Sequence, residues 1–246
     1  MKISIITVCY NSEKYIRTAI ESVLSQTYTA IEYIIVDGGS KDDTVSIIQQ
    51  YEPEFNGRMK WVSARDNGLY DAMNKGLDRI TGDWVYFIGA DDELYSTTVL
   101  SDIFEKKTID NEVIYGNAYY LKRKKIRFGK MNRYHLSKHN FNHQTIFYPK
   151  SVFESFSYLT KYSIWADYYL NINLFFKAKY KFTHAKVIVS KFNDMGTSGI
   201  NNVDMAFEED RKEIISAIFP YDVYVFYMAR RLFLFLQCNF KKLLNG

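Results

Sequence analysis

The sequence predicts an α/β protein in which a mainly parallel sheet is flanked by helices and followed by a helical extension. Three observations carry that expectation. Short aliphatic-rich runs, Ile3–Val8, Ile31–Val36 and Trp84–Ile88, have the length and continuous apolarity of strands buried on both faces. Between the first two, Ile16, Ala19, Ile20, Val23 and Leu24 recur at helical spacing. Each run also breaks into a polar loop at its carboxyl end, where open α/β sheets place their ligands. A chain of 246 residues with 47% hydrophobic content buries one sizeable core, or one core with an appendage, and divides into a principal domain, 1–215, and an extension, 216–246.

The first strand runs into Thr7-Val8-Cys9-Tyr10-Asn11. The second ends in Asp37-Gly38-Gly39-Ser40-Lys41-Asp42-Asp43-Thr44, an acid, two glycines and a helix start ahead of Ile47 and Ile48. The glycines allow close backbone approach or positive φ, and Asp37 is placed to accept hydrogen bonds from a ligand such as a nucleobase; a plain turn accounts equally well for either glycine alone. Lys60-Trp61-Val62-Ser63 reads as a third strand. Leu69, Ala72, Met73, Gly76, Leu77 and Ile80 then form the stripe of a helix with Asp66 or Asn67 near its cap. The next strand ends in Gly89-Ala90-Asp91-Asp92, where two adjacent carboxylates repel and call for a cation between them. A divalent metal there would in turn hold a diphosphate; the plainer alternative is a solvated turn.

Val113–Tyr120 reads as another strand, and Lys122, Arg123, Lys124, Lys125, Arg127, Lys130 and Arg133 follow with no acid among them. Such a run is either an edge guarded against aggregation or an attraction for anionic partners, a lipid diphosphate or acidic membrane headgroups. No recognition motif accompanies it, so nucleic acid is not expected. His143-Gln144-Thr145-Ile146-Phe147-Tyr148 precedes Pro149, and a lone histidine on a strand is ordinarily structural. Trp165-Ala166-Asp167 opens a helical pattern through Ile172, Leu174, Phe175 and Phe176, where an acid near the amino end can serve as a cap or dipole partner.

The tail from Tyr221 to Leu244 is apolar but broken by Arg230, Arg231, Lys241 and Lys242, too short a run to span a bilayer. Arg230, Gln237 and Lys241 share one face of its wheel, opposite Leu232, Phe233, Leu236, Phe240 and Leu243. That pattern suits a helix in a membrane interface, on the domain, or against a second subunit. Cys9 and Cys238 stand at opposite ends without metal-ligand spacing, which suggests neither a disulfide framework nor a zinc site. The amino end runs straight into a strand with no signal-like segment, so the expected location is cytoplasmic, with the tail offering attachment to the inner face of the cell membrane.

Taken in order over about Met1 to Asn193, the segments Thr7-Val8-Cys9-Tyr10-Asn11, Val36-Asp37-Gly38-Gly39-Ser40 with Asp42 and Thr44, Ala90-Asp91-Asp92 and Ala166-Asp167-Tyr168 resemble those of family 2 glycosyltransferases. These are inverting enzymes with the GT-A fold, a Rossmann-like sheet flanked by helices. The resemblance implies transfer of a sugar from a nucleotide-sugar donor, UDP-linked, to a glycan or lipid-diphosphate-linked acceptor in bacterial surface-polysaccharide assembly, with Mn2+ or Mg2+ as cofactor. It implies that Asp37 contacts the base, with Thr7, Tyr10, Asn11 and Ser40 in the donor site. It further implies that Asp66 contacts the nucleotide, Lys75 approaches phosphate, and His143-Gln144 lies beside the active site. Asp91 and Asp92 would be the metal site, Asp92 also facing substrate, and Asp167 the catalytic base. Gly89 stands where many relatives carry a first Asp, so Asp91 is expected to bear most of the metal binding with Asp92 in support. The loop Asp194-Met195-Gly196-Thr197-Ser198-Gly199 is expected to hinge over donor. Two alternatives remain beside this: a sugar-nucleotide nucleotidyltransferase, whose amino-terminal glycine-rich phosphate loop is missing, and a catalytically silent nucleotide-sugar or membrane-binding module.

Overall fold

A computed structural model describes residues 1–105, 112–127, 129–195 and 203–244, with side chains of the last helix through Gln237. The strands are β1 (Ile3–Cys9), β2 (Ile31–Asp37), β3 (Met59–Ser63), β4 (Trp84–Phe87), β5 (Glu93–Leu94), β6 (Val113–Tyr120), β7 (Lys125–Arg127), β8 (Ile146–Pro149) and β9 (Phe182–Phe192). They form one sheet in the order β3-β2-β1-β4-β8-β6-β9-β5, with β7 paired to β6. The helices that position the site are α1 (Ile16–Leu24), α2 (Thr44–Tyr51), α3 (Leu69–Leu77), α4 (Val99–Phe104), α5 (Arg133–Leu136), α6 (Ser151–Ser155) and α7 (Ala166–Ile172).

Strand alternation divides the amino-terminal core between two faces. Ile5, Tyr33 and Ile35 pack with α1 and α2 through Ile16, Ile20 and Ile48. Ile6, Ile34 and Val36 pack on the other face with α3 through Tyr70, Ala72 and Met73. Gly76 brings α3 close to the sheet, since a Cβ there would stand 2.7 Å from Ile6 Cγ2. β1 is parallel to β2 and β4, and β2 to β3. The register pairs Cys9 with Asp37 and Asp37 with Ser63, so the carboxyl ends of β1, β2 and β3 finish level.

The parallel expectation holds across β3-β2-β1-β4, and the remainder is mixed. β8 runs antiparallel to both β4 and β6, while β9 is parallel to β6. An apolar run specifies burial but not direction, and here the reversal carries the amino end of β8, with His143 and Gln144, to the carboxyl end of β4. His143 therefore lies in a 3-10 turn (His143–Thr145) just before the strand rather than on it.

The helix Met205–Ile218 buries Phe207, Ile214, Ile215 and Ile218 in the same core that takes Val223 and Tyr227 of the terminal helix Tyr221–Leu244. The 215/216 division drawn from the sequence thus falls inside a continuous helix. Past Arg231 the terminal helix exposes Leu232, Phe233, Leu234, Phe235 and Leu236. No helix among the described residues is long and apolar enough to cross a membrane. Residues 196–199 of the expected hinge loop, and the side chains of Cys238, Phe240, Lys241 and Leu243, lie outside the described residues.

Candidate active site

The carboxyl edge of β2 presents a carboxylate already committed to its own chain. Asp37 is fully buried, and its Oδ2 accepts from Gly39 N and Ser40 N, both at 3.0 Å, and from Ser63 Oγ at 2.6 Å. Ser40 Oγ and, at 3.7 Å, Cys9 Sγ address Oδ1. Two oxygens offer about four acceptor sites, so this set leaves little for a base. Burial, then Asp37, push the Cys9 thiol up, which keeps it protonated. Thr7, expected in the donor site, is fully buried with its hydroxyl 2.9 Å from Tyr33 OH. Asn11 holds the loop, its N–H donating to Ser40 Oγ at 2.8 Å and its Oδ1 accepting from Lys41 N at 2.9 Å.

What faces outward at this edge is Tyr10, 61% exposed, beside Gly38 and Asp66. A Cβ at Gly38 would stand 2.6 Å from Asp66 Oδ2 and 3.4 Å from Tyr10 Cδ2, so the missing side chain is what admits the Asp66 carboxylate. Asp66 Oδ1 accepts from Gly68 N at 2.9 Å, fixing the turn before α3. Lys75 pairs with Asp71 at 2.9 Å and donates to Arg65 O at 3.2 Å, contacts that steady the Asp66 loop.

At the end of β4 the acid pair is built as a two-oxygen bite. Asn193, just past β9, donates from Nδ2 to Asp91 Oδ2 at 3.0 Å and from its backbone N–H to Asp92 Oδ1 at 2.7 Å. The other two oxygens converge over Gly89: a Cβ there would lie 2.6 Å from Asp92 Oδ2 and 3.1 Å from Asp91 Oδ1. Burial raises the carboxyl of Asp91, and burial with Asp91 as neighbour raises Asp92 well above the usual carboxylate range. Adjacent buried acids so reluctant to ionise together fit a divalent cation. No group of three or more His, Cys, Asp or Glu that could hold a metal occurs among the described residues, and the two carboxylates here are a donor set that would suit an ion shared with substrate phosphates. Asp92, 3% exposed, is the more enclosed of the two.

Asp167 lies in the first turn of α7, at the border of burial. Its Oδ1 accepts from Tyr70 OH at 3.1 Å and Tyr168 N at 2.7 Å, and its Oδ2 from Asn140 Nδ2 at 2.7 Å. Asn140 is itself oriented by Asn171 Nδ2 at 3.0 Å, and Asn171 by Tyr148 OH at 2.9 Å. His143 lies between Phe87 of β4, at a ring separation of 5.2 Å, and Asp167, whose Oδ2 is 3.6 Å from Nδ1. That distance is beyond a hydrogen bond, and both ring nitrogens are buried without a partner. Gln144 contributes its backbone carbonyl, which accepts from Tyr86 OH at 3.0 Å. Tyr70, Asn140, Asn171 and Asn193 lie within or beside the sequence motifs, but spacing alone does not show their roles, because each reaches its partner across the fold.

The model of Glycosyl transferase family 2 matches residues 4–165. The chain belongs to that family. This family 2 glycosyltransferase is 32% identical over 210 residues, 83% of its length and 81% of the relative's, to the PGL/p-HBAD biosynthesis glycosyltransferase of Mycobacterium bovis. Among solved structures it is similar to S. aureus TarS 1-349 in complex with UDP-GlcNAc, with TM-score 0.63 and 18% identity over 89% of this chain and 65% of that one. It spans only 39% of the longer TarS chain, at TM-score 0.65, 18% identity and 88% of its own length. It is also similar to the mannosyltransferase PcManGT from Pyrobaculum calidifontis in complex with GDP-Man and Mn2+, with TM-score 0.60 and 16% identity over 76% of this chain and 56% of that one. At such identities the likeness is one of fold, and the fold is GT-A.

Proposed function

We propose that this glycosyltransferase moves one sugar, with inversion, from a UDP-linked donor to a glycan or lipid-linked acceptor of bacterial surface polysaccharide. The observation that carries this reading is the order of groups along the carboxyl edge. Across β2, β1, β4 and β8 stand Tyr10 with Asp66 over Gly38, then the Asp91–Asp92 bite over Gly89, then His143 with Asp167. That order suits a nucleoside base, its diphosphate and an acceptor in turn.

Tyr10 offers a ring for the base, and Asp66 rather than Asp37 is the acid open to it. Asp91 Oδ1 and Asp92 Oδ2 would hold Mn2+ or Mg2+, which when bound supplies Lewis-acid stabilisation of the leaving diphosphate. The acceptor oxygen attacks the anomeric carbon as the bond from that carbon to the phosphate oxygen breaks, and the bonding pair leaves with the nucleoside diphosphate. Asp167 takes the acceptor proton on Oδ2, and the unpartnered His143 ring is placed to hydrogen-bond the same acceptor.

The terminal helix is read as a membrane-surface element at the cytoplasmic face: Leu232 to Leu236 are exposed, and Arg230 and Arg231 stand next to them. We place the division of the chain in the short connection between the two last helices, after Ile218.

The deciding experiment is Asp167→Asn. It keeps shape and an acceptor oxygen but removes the base, so transfer is expected to fall by about 100-fold or more while UDP affinity in manganese stays at the parent value. Parent-level transfer by the variant, or a product with retained anomeric configuration, would exclude this mechanism.

A further inference from the structure

The basic run after β6 is not uniform. Arg123 is neutralised by Asp194 at 3.3 Å and Arg133 by Asp222, whereas Arg127, Lys130, His135 and His139 have no acidic partner among the described residues. These last four line one cavity of about 600 Å³ together with Asn140. Arg127 is fixed there by its guanidinium over the Tyr120 ring, 5.4 Å from the centroid. The proton affinity of His139 is lowered by burial and then by Arg230, Lys138, His135 and Arg127, all basic side chains. Arg127 and Lys130 share this concave site with no carboxylate in its lining, so the field they focus there is satisfied by an anion, to which the two imidazoles can donate N–H groups. Asn140, part of the cavity lining, is the residue whose Nδ2 donates to Asp167 Oδ2. Whatever fills the cavity therefore sits one side chain from the proposed base.

We propose that this cavity is an acceptor subsite for a phosphate or diphosphate group, bound by Arg127, Lys130, His135 and His139, so that the enzyme glycosylates phosphate-bearing acceptors. The word acceptor rests on the glycosyl-transfer reading; the anion site does not. Held by its phosphate here, an acceptor presents its hydroxyl toward Asn140 and Asp167.

The test uses inorganic pyrophosphate in excess chelator, which removes the metal-dependent route to the donor side. The imidazole C2–H resonances of His135 and His139 are followed in the full-length protein. Both are expected to shift with one affinity while His184 stays still, and Arg127→Ala/Lys130→Ala is expected to weaken binding about tenfold or more. No shift of His135 and His139 into the millimolar range overturns the proposal, as does equal affinity in the double variant. Loss of binding to phosphatidylglycerol vesicles by a double variant that still binds pyrophosphate like the parent would assign these cations to a membrane and also overturn it. Displacement of pyrophosphate by farnesyl diphosphate assigns the group to a lipid carrier, and displacement by glycerol phosphate alone assigns it to a phosphate-bearing glycan; either supports the subsite. UDP is titrated in manganese alongside: if UDP fails to bind while the histidines still respond, the donor reading falls and the anion site stands.

Discussion

Burial, and Asp91 beside it, raise the carboxyl of Asp92, so the folded chain holds that proton more tightly than the unfolded chain does. For an acid raised in this way, the stability cost is absent below the unfolded value and grows as pH rises past it. At pH 7 in chelator, Asp92→Asn is therefore expected to melt about 2–4 °C above the parent, roughly 1 kcal/mol, while losing metal-dependent transfer. A melting temperature at or below the parent's in scanning calorimetry would contradict it. Asp37 and Asp66 separate in the opposite sense. Asp37→Ala orphans its backbone and hydroxyl donors and is expected to cost about 2–4 kcal/mol of stability, whereas Asp66→Ala should leave denaturant midpoints near the parent and weaken UDP binding. If Asp37→Ala folds as well as the parent and Asp66→Ala binds UDP normally, the two assignments are reversed. The sequence marked both acids and could not rank them. Their difference lies in which donors the loops of residues 39, 40 and 63 deliver, and no spacing encodes that.

At the level of strands and helices, the lengths and burial of β1, β2, β4 and α1 to α3 were legible because each is a continuous apolar run or a helical stripe. The direction of β8 was not, and with it went the hydrogen bond of Asn140 to Asp167 and the approach of His143 to the same carboxylate, made across 27 and 24 residues of chain. At the other end of the sheet, Glu32 is buried on β2 and accepts from Ser4 Oγ at 2.6 Å, Thr81 Oγ1 at 2.7 Å, Gly82 N at 3.1 Å and Lys2 Nζ at 3.0 Å. Burial opposes its charge, but the hydrogen bonds from Ser4, Thr81 and Lys2 outweigh burial and bring it down to about 2. Its stabilisation is thus complete above the unfolded value near 4.5 and is lost as pH falls toward 2. Glu32→Ala is expected to destabilise by about 3 kcal/mol at neutral pH, and its deficit should shrink on acidification. A deficit independent of pH in urea titrations would show that lost packing, not lost charge, is the cause.

For the molecule as a whole, the tail divides into a packed half and an unpartnered one. Val223 and Tyr227 are buried, and Tyr134 OH donates to Asp222 at 2.8 Å, so the helix cannot be removed from its start without opening the core. Truncation after Arg231 removes the stretch whose described side chains, Leu232 to Gln237, are all exposed. That variant is expected to melt like the parent, to transfer sugar to a short soluble acceptor, and to lose binding to phosphatidylglycerol vesicles, the parent's own binding weakening as salt screens its cations. A truncated chain that binds vesicles as before excludes the membrane role, and a parent that is dimeric while the truncation is monomeric would place a second subunit on the helix. The sequence showed the amphipathic tail but not where packing stops, since apolar residues continue on both sides of Arg231.

Gly89 bears on how this enzyme would be engineered. To a protein designer, an Asp-x-Asp pattern missing its first member invites repair by consensus. Here the vacancy at the α-carbon is the seat of the Asp91 and Asp92 oxygens, and a new side chain would have to evict the carboxylates it was meant to assist. Gly89→Asp should consequently behave as a loss-of-function change, and the glycine is better understood as an alternative solution than as a defect.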